Sequence, residues 1–176
     1  MNFIPSQTIE AQEVPYFEDA KKSEGWQGQA TEKAAKVLKS EIREALSRLG
    51  GQITTFQQGA FQINELSRDG FQIGYVVEAA DGRQVSGRIN MAALPVRIDT
   101  PKRRDQSLRM ALYMLRVSLD GSWLFQQLSP GYSALVPFML GSGNKTVSEI
   151  WLDSPIMNKL LPPGKQDFIE GEVKVL

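Results

Sequence analysis

The chain has 176 residues, 41% apolar and 23% charged, which is enough for one packed domain and too apolar for wholesale disorder. Lys and Arg together number 20, as do Asp and Glu, so net charge singles out no partner. Cysteine and histidine are absent, which excludes disulfide scaffolds, thiol nucleophiles, histidine bases, Cys/His zinc sites and serine–histidine triads.

No apolar run approaches the roughly 18–20 residues of a membrane span, and no signal-peptide core opens the chain. The expectation is a cytoplasmic protein without membrane contact. The charges are segregated along the sequence. Residues 1–31 carry Glu10, Glu13, Glu18, Asp19 and Glu24 against Lys21 and Lys22, a net of −3. Residues 97–116 carry Arg97, Lys102, Arg103, Arg104, Arg109 and Arg116 against Asp99 and Asp105, a net of +4, and residues 149–176 return to −2. A basic middle between acidic ends either binds a polyanion or takes its own ends back onto itself.

Residues 1–30 have neither helical nor strand periodicity. Pro5, Pro15, Gly25 and Gly28 interrupt them, and Phe3, Ile4, Val14, Tyr16, Phe17 and Trp26 dot an acidic background. They read as an arm whose aromatics, Tyr16, Phe17 and Trp26 above all, dock on a partner or on the domain's own groove. From Thr31 the pattern changes. Ala35, Leu38, Ile42, Ala45, Leu46 and Leu49 form one helical stripe, with Thr31 as expected N-cap and Gly50-Gly51 as left-handed exit. Lys36, Lys39 and Arg43 share another face of that helix. Glu32, Glu41 and Glu44 interleave with them, and the pattern reads as an ordinary solvated surface.

Three strands are expected next. The first runs from Ile53 to Leu66 with a bulge or turn at Gly59. The second points Phe71, Ile73, Tyr75, Val77 and Ala79 inward and Gln72, Gly74 and Glu78 outward. The third alternates Val85, Gly87, Ile89 and Met91 with Gln84, Ser86, Arg88 and Asn90. Asp81-Gly82 signals a hairpin of type I′, with positive φ at both turn residues. Leu94-Pro95 ends the sheet. Thr100-Pro101 opens a second helix with a cap and a proline at its first position, and its core stripe is Leu108, Leu112, Leu115 and Leu119. The helix is expected to end or kink near Gly121, with Trp123, Leu124 and Phe125 continuing an apolar stretch to Pro130-Gly131. Beyond it, Leu135–Leu140 reads as a buried run, Thr146-x-x-Glu149 as a capping box, Ile156–Leu161 as a short helix and Phe168–Leu176 as an edge strand. The whole is an α+β fold: an antiparallel three-stranded sheet flanked by two long helices (α-β-β-β-α) over 31–120, an arm over 1–30 and a short-helix C-terminal extension over 121–176.

No catalytic set emerges. Gly141-Ser142-Gly143-Asn144-Lys145-Thr146 lacks the glycines a phosphate loop requires before its lysine, and a turn into a capped helix explains it. Glu172-Val173-Lys174 has the acid-x-lysine order of metal-dependent nucleases, with Asp153 or Asp167 as second acid, but sits too near the chain end for a rigid frame. The expectation is a non-enzyme with no cofactor and no metal site. One feature opposes local physics: Lys102, Arg103 and Arg104 fall in the first turn of the second helix, where cations cost about 0.3–1 kcal/mol each. A bound phosphate reverses that sign. Lys102, Arg109 and Arg116 recur every seven residues, and Arg88 and Arg97 stand on neighbouring segments. These seven side chains are the expected phosphate contacts to DNA or RNA.

The order helix, three strands, helix with a basic start to the second helix resembles the double-stranded-RNA-binding domain, whose lysines contact phosphates across a groove. That family's His-bearing loop has no counterpart here. Residues 40–49 (SEIREALSRL), 94–116 (LPVRIDTPKRRDQSLRMALYMLR) and 138–149 (FMLGSGNKTVSE), followed by Leu160-Leu161-Pro162, resemble an uncharacterised protein family of bacteriophages and prophages. That resemblance implies a mobile-element setting and a host-cell cytoplasm, and transfers no site residues. The leading expectation is a non-enzymatic nucleic-acid-binding accessory of phage DNA replication or recombination. The alternative is a protein-interaction module, either an inhibitor of a host or defence complex or a self-assembling homo-oligomer.

Overall fold

The computed structural model describes residues 14–63 and 65–152. The expected helix over Ile156–Leu161, the expected strand over Phe168–Leu176 and the Glu172-Val173-Lys174 triplet lie outside the described residues, as do residues 1–13 of the arm. The elements run α1 (Ala35–Arg48), β1 (Gly51–Ile63), β2 (Leu66–Glu78), β3 (Gln84–Ala92), α2 (Pro101–Leu128) and α3 (Val147–Leu152). The three strands form one antiparallel sheet in the order β1-β2-β3. The α+β class, the three strands and the two long helices are as the periodicity predicts.

Both long helices cover the same face of the sheet. The stripes Leu38, Ile42, Leu46 of α1 and Leu108, Leu112, Leu115, Leu119 of α2 share one core with Phe71, Ile73, Tyr75 and Ile89. The two helices run parallel, since the contacts between them advance together: the Thr31 carbonyl to Arg109, Glu41 to Arg116, Arg48 to Asp120. Tyr75 is 1% exposed, donates its hydroxyl to the Leu135 carbonyl at 3.1 Å, and lies where a Cβ on Gly87 would overlap its ring. Glycine at 87 is therefore what lets β3 pass close beside Tyr75.

Several local signals resolve differently from expectation. Helix α1 starts at Ala35 behind Ala34, with no side-chain cap, so Thr31 is not the N-cap; its hydroxyl accepts the Lys33 N–H at 3.4 Å in the preceding loop. Gly50 takes the left-handed exit at φ 89°, whereas Gly51 already belongs to β1. The expected single strand Ile53–Leu66 divides: Ile63 pairs with Leu66 and Glu65 turns the chain at φ 64°. The register shift lies between Ile53 and Thr55, while Gly59 pairs regularly with Gly70. The β2–β3 hairpin forms as expected, but the turn is not type I′. Gly82 alone has positive φ, at 82°, and the Gly82 N–H to Ala79 carbonyl and Ala79 N–H to Arg83 carbonyl bonds describe a three-residue loop closed by a glycine bulge.

Thr100 caps α2 as predicted, accepting the Arg103 N–H at 3.2 Å. The helix does not end at Gly121 but continues to Leu128, so Trp123, Leu124 and Phe125 are helical. A glycine inside a helix costs about 1 kcal/mol, and here buried Leu119 on one side and Trp123, stacked 5.1 Å from the Arg48 guanidinium, on the other hold the turn. Of Leu135–Leu140 only Leu135 is buried, and Val136 is exposed. The capping box is reciprocal: the Glu149 carboxylate accepts the Thr146 N–H at 2.6 Å and the Thr146 hydroxyl accepts the Glu149 N–H at 3.2 Å.

Burial pushes the Tyr75 phenol up to about 12 from the ordinary 10.0. A raised tyrosine contributes stability that is complete below pH 10 and is lost as pH climbs toward 12, because the unfolded chain ionises first. Urea denaturation across this window is expected to show that loss in the wild type and a flatter profile in Tyr75→Phe, which starts about 1 kcal/mol lower for want of the Leu135 hydrogen bond. Equal alkaline losses in both proteins would contradict this.

Candidate functional site

The basic start of α2 is met by acids. Arg104 pairs with Asp99 at 2.6 Å and lies 3.9 Å from Asp69. Arg97 pairs with Asp19 of the arm, its backbone N–H reaches Glu18 at 3.0 Å, and its guanidinium lies 5.1 Å from the Tyr16 ring. Arg103 turns toward Gln106 at 3.5 Å. Lys102 is exposed and forms no ion pair among the described residues. A shallow cavity of about 260 Å³ opens here, lined by Tyr16, Arg68, Asp69, Arg97, Asp99 and Arg104. Arg68 donates to the Ala93 carbonyl at 2.8 Å, and burial lowers its pKa.

Two members of the seven-residue stripe, Arg109 and Arg116, lie in a seam. Arg109 pairs with Asp105 at 2.9 Å and reaches the Thr31 carbonyl at 3.4 Å. Arg116 lies between Asp120 at 3.2 Å and Glu41 of α1 at 3.5 Å. Both stitch α2 to neighbouring chain. Arg88 is likewise engaged, with the Asn144 carbonyl at 3.0 Å and Glu149 at 3.3 Å. Of the seven expected phosphate contacts, the structure brings Arg97, Lys102, Arg103 and Arg104 to one end of α2 and places Arg88, Arg109 and Arg116 elsewhere.

The arm folds back on the domain. Phe17 is 3% exposed and shares a second core with Ala20, Leu94 and Met110, against which Trp26 also packs. The Phe17 N–H bonds the Pro95 carbonyl at 2.8 Å. Phe17 is therefore spent on the chain's own groove and is closed to an outside partner, while Tyr16 remains 40% exposed. Partial burial pushes the Glu18 carboxyl upward, but N–H bonds from Arg97 and Ile98 and the charge of Arg103 outweigh it and hold the pKa below 4.5.

A second surface escaped the sequence reading. The two edges of the sheet differ. At β3, Met139 bridges to Gly87 and the Leu140 N–H bonds the Ser86 carbonyl at 2.8 Å, so the segment before α3 covers that edge at Ser86–Gly87. At β1, thirteen residues long, no backbone bond is made except to β2 among the described residues. The segment GQITTFQQGAFQI contains no charge and no proline, the devices by which exposed edges are normally blunted. That composition was visible in the sequence; that β1 is an edge was not. Beside it stands the α1 face that read as mixed charge. Glu41 points away, into the α2 seam, with Lys33 and Arg116. Lys39 points toward the sheet, its Nζ 5.3 Å from the Phe56 ring and 5.4 Å from Phe71. Lys36 and Arg43, one turn to either side on that flank, are exposed and have no ion pair among the described residues.

No helix among the described residues is long and apolar enough to cross a membrane, and those residues hold no group of three or more acids placed to bind a metal ion. The chain matches no protein-family model, no curated protein and no solved structure.

The Glu18 contact is depressed in pKa, so its support for the arm is present above pH 4.5 and lost as pH falls below it. NMR of the buried Ala20 methyl is expected to show the arm loosening in that acid range, and Glu18→Gln to weaken the pH dependence, the Asp19–Arg97 pair remaining. A methyl signal indifferent to both would contradict the fold-back.

Proposed function

We propose that this protein is a non-enzymatic protein-interaction module that accepts an extended polypeptide segment as an added strand on β1. The carrying observation is the asymmetry of the sheet: the chain itself covers the β3 edge at Ser86–Gly87, and the β1 edge is long, uncharged and, among the described residues, unpaired. In strand addition the outward N–H and C=O groups supply affinity, and side chains flanking the edge supply selectivity. Proline in an edge strand removes one outward donor with little effect on the strand itself.

A photo-crosslinking residue in place of Gln58 is expected to capture a protein partner, and the same residue in place of exposed Gln127 on α2 is expected not to. Adding Ala60→Pro to the Gln58 probe should cut capture roughly tenfold, the equivalent of about one backbone hydrogen bond. Capture indifferent to Ala60→Pro would sink the reading, provided thermal melting shows both proteins folded.

The nucleic-acid reading draws its support from Lys102 and Arg103, which form no ion pair among the described residues at the start of α2. Two to three phosphate contacts predict DNA binding that weakens steeply with salt and is lost in Lys102→Ala/Arg103→Ala. Fluorescence polarisation at low and physiological salt measures it, and binding that ignores the double substitution would exclude this site.

A further inference from the structure

The open edge also carries information about what it receives. Lys39 leans over the sheet beside β1, and Lys36 and Arg43 follow it in a basic ridge, one turn to either side on the solvent-facing part of that flank of α1, while Glu32 lies in the loop before Ala35 and the acids of the helix itself point elsewhere. Glu41 is turned into the α2 seam, where Lys33 and Arg116 hold it. Glu44 is exposed on the side of α1 away from the sheet, nearly opposite Lys39, Ile42 and Leu46 around the helix. β1 contributes no charge of its own from Gly51 to Ile63. A strand lying along β1 would therefore meet a neutral backbone edge below and three cations beside it.

Resting on strand addition at β1, we infer that the segment received there is an acidic extended polypeptide whose carboxylates lie against Lys36, Lys39 and Arg43. Period-two alternation places every second side chain of an added strand on the helix side of the sheet, so acids spaced two apart would face the ridge together. A second copy of this chain fits poorly. Antiparallel β1–β1 pairing has its two-fold axis perpendicular to the sheet, which puts both α1 helices on the same side with their basic ridges facing each other. Like charges so placed disfavour the pair. Lys39 is the anchored member, since its ammonium already lies over Phe56 and Phe71, whereas Lys36 and Arg43 are free to move to a carboxylate.

The test uses the full chain and three labelled, blocked peptides: alternating glutamate and threonine, alternating lysine and threonine, and alternating serine and threonine, with a labelled thymidine oligonucleotide as a fourth probe. Fluorescence polarisation at low salt is expected to favour the glutamate peptide over the lysine peptide by on the order of tenfold, a preference that shrinks as salt is added. Lys36→Glu/Arg43→Glu, two exposed positions that leave the core untouched, should reverse the preference. Ala60→Pro should weaken all three peptides. Binding of all peptides alike, with β1 still required, would overturn the acidic assignment and leave strand addition standing. Binding of none would overturn both. Tighter binding of the oligonucleotide, lost in the Lys36/Arg43 variant, would overturn the proposal in favour of a nucleic acid on the ridge. A chain that light scattering shows to be a β1-dependent dimer would overturn it in favour of self-pairing.

Discussion

Two parallel helices lying side by side cover one face of a three-stranded sheet, and that coverage is the constraint from which the rest of the molecule follows. The face they cover holds Phe71, Ile73, Tyr75 and Ile89, and apolar burial there is the main source of stability. The other face is left to Gln72, Asn90, Gln84 and Ser86, with the Gln72 amide donating to Asn90 across the strands at 3.1 Å. Because the helices sit over the sheet and not beside it, neither protects an edge. The chain covers the β3 edge at Ser86–Gly87 with Met139 and Leu140, and among the described residues nothing but β2 pairs with β1.

The same arrangement decides which charges are available. Where α1 and α2 meet, Arg116 pairs with Glu41 and Arg48 with Asp120 across the seam, while Arg109 with Asp105 and Arg116 with Asp120 pair along α2 itself. At the start of α2 the acidic arm and the local aspartates meet Arg97 and Arg104. The pairs at the start of α2 are exposed and those in the seam half-buried, within reach of solvent screening, so each adds little to stability. Their consequence is electrostatic: the segment with the greatest positive charge in the sequence is partly neutralised from within, and the α1 flank with only three cations keeps its field. That contrast supports the proposal of a local site beside the β1 edge.

Signals confined to a few adjacent residues were legible in the sequence. Thr100-Pro101, the Thr146–Glu149 capping box and the β2–β3 hairpin needed only their own atoms. The β1–β2 turn was missed because Glu65 adopts positive φ without a glycine to announce it. Gly121 misled because packing of Leu119 and Trp123 overrides a propensity of about 1 kcal/mol. The seven-residue stripe of Lys102, Arg109 and Arg116 was correctly placed on one side of a helix, yet helical spacing alone does not reveal whether that side faces solvent or another helix. The Lys36–Lys39–Arg43 ridge was hidden for the same reason. Its separation from Glu41 depends on where α2 lies, and that is tertiary information.

Strand addition requires that β1, paired only with β2 among the described residues, be an open edge, in contrast to β3 where Ser86–Gly87 is covered. Residue-resolved amide hydrogen exchange on the isolated protein measures this directly. Alternate amides along Gly51–Ile63 are expected to exchange rapidly and their neighbours bonded to β2 slowly, with the Leu140 amide, bonded to Ser86, protected. Uniform slow exchange along β1, with Leu140 fast, would show that the edges are the other way round.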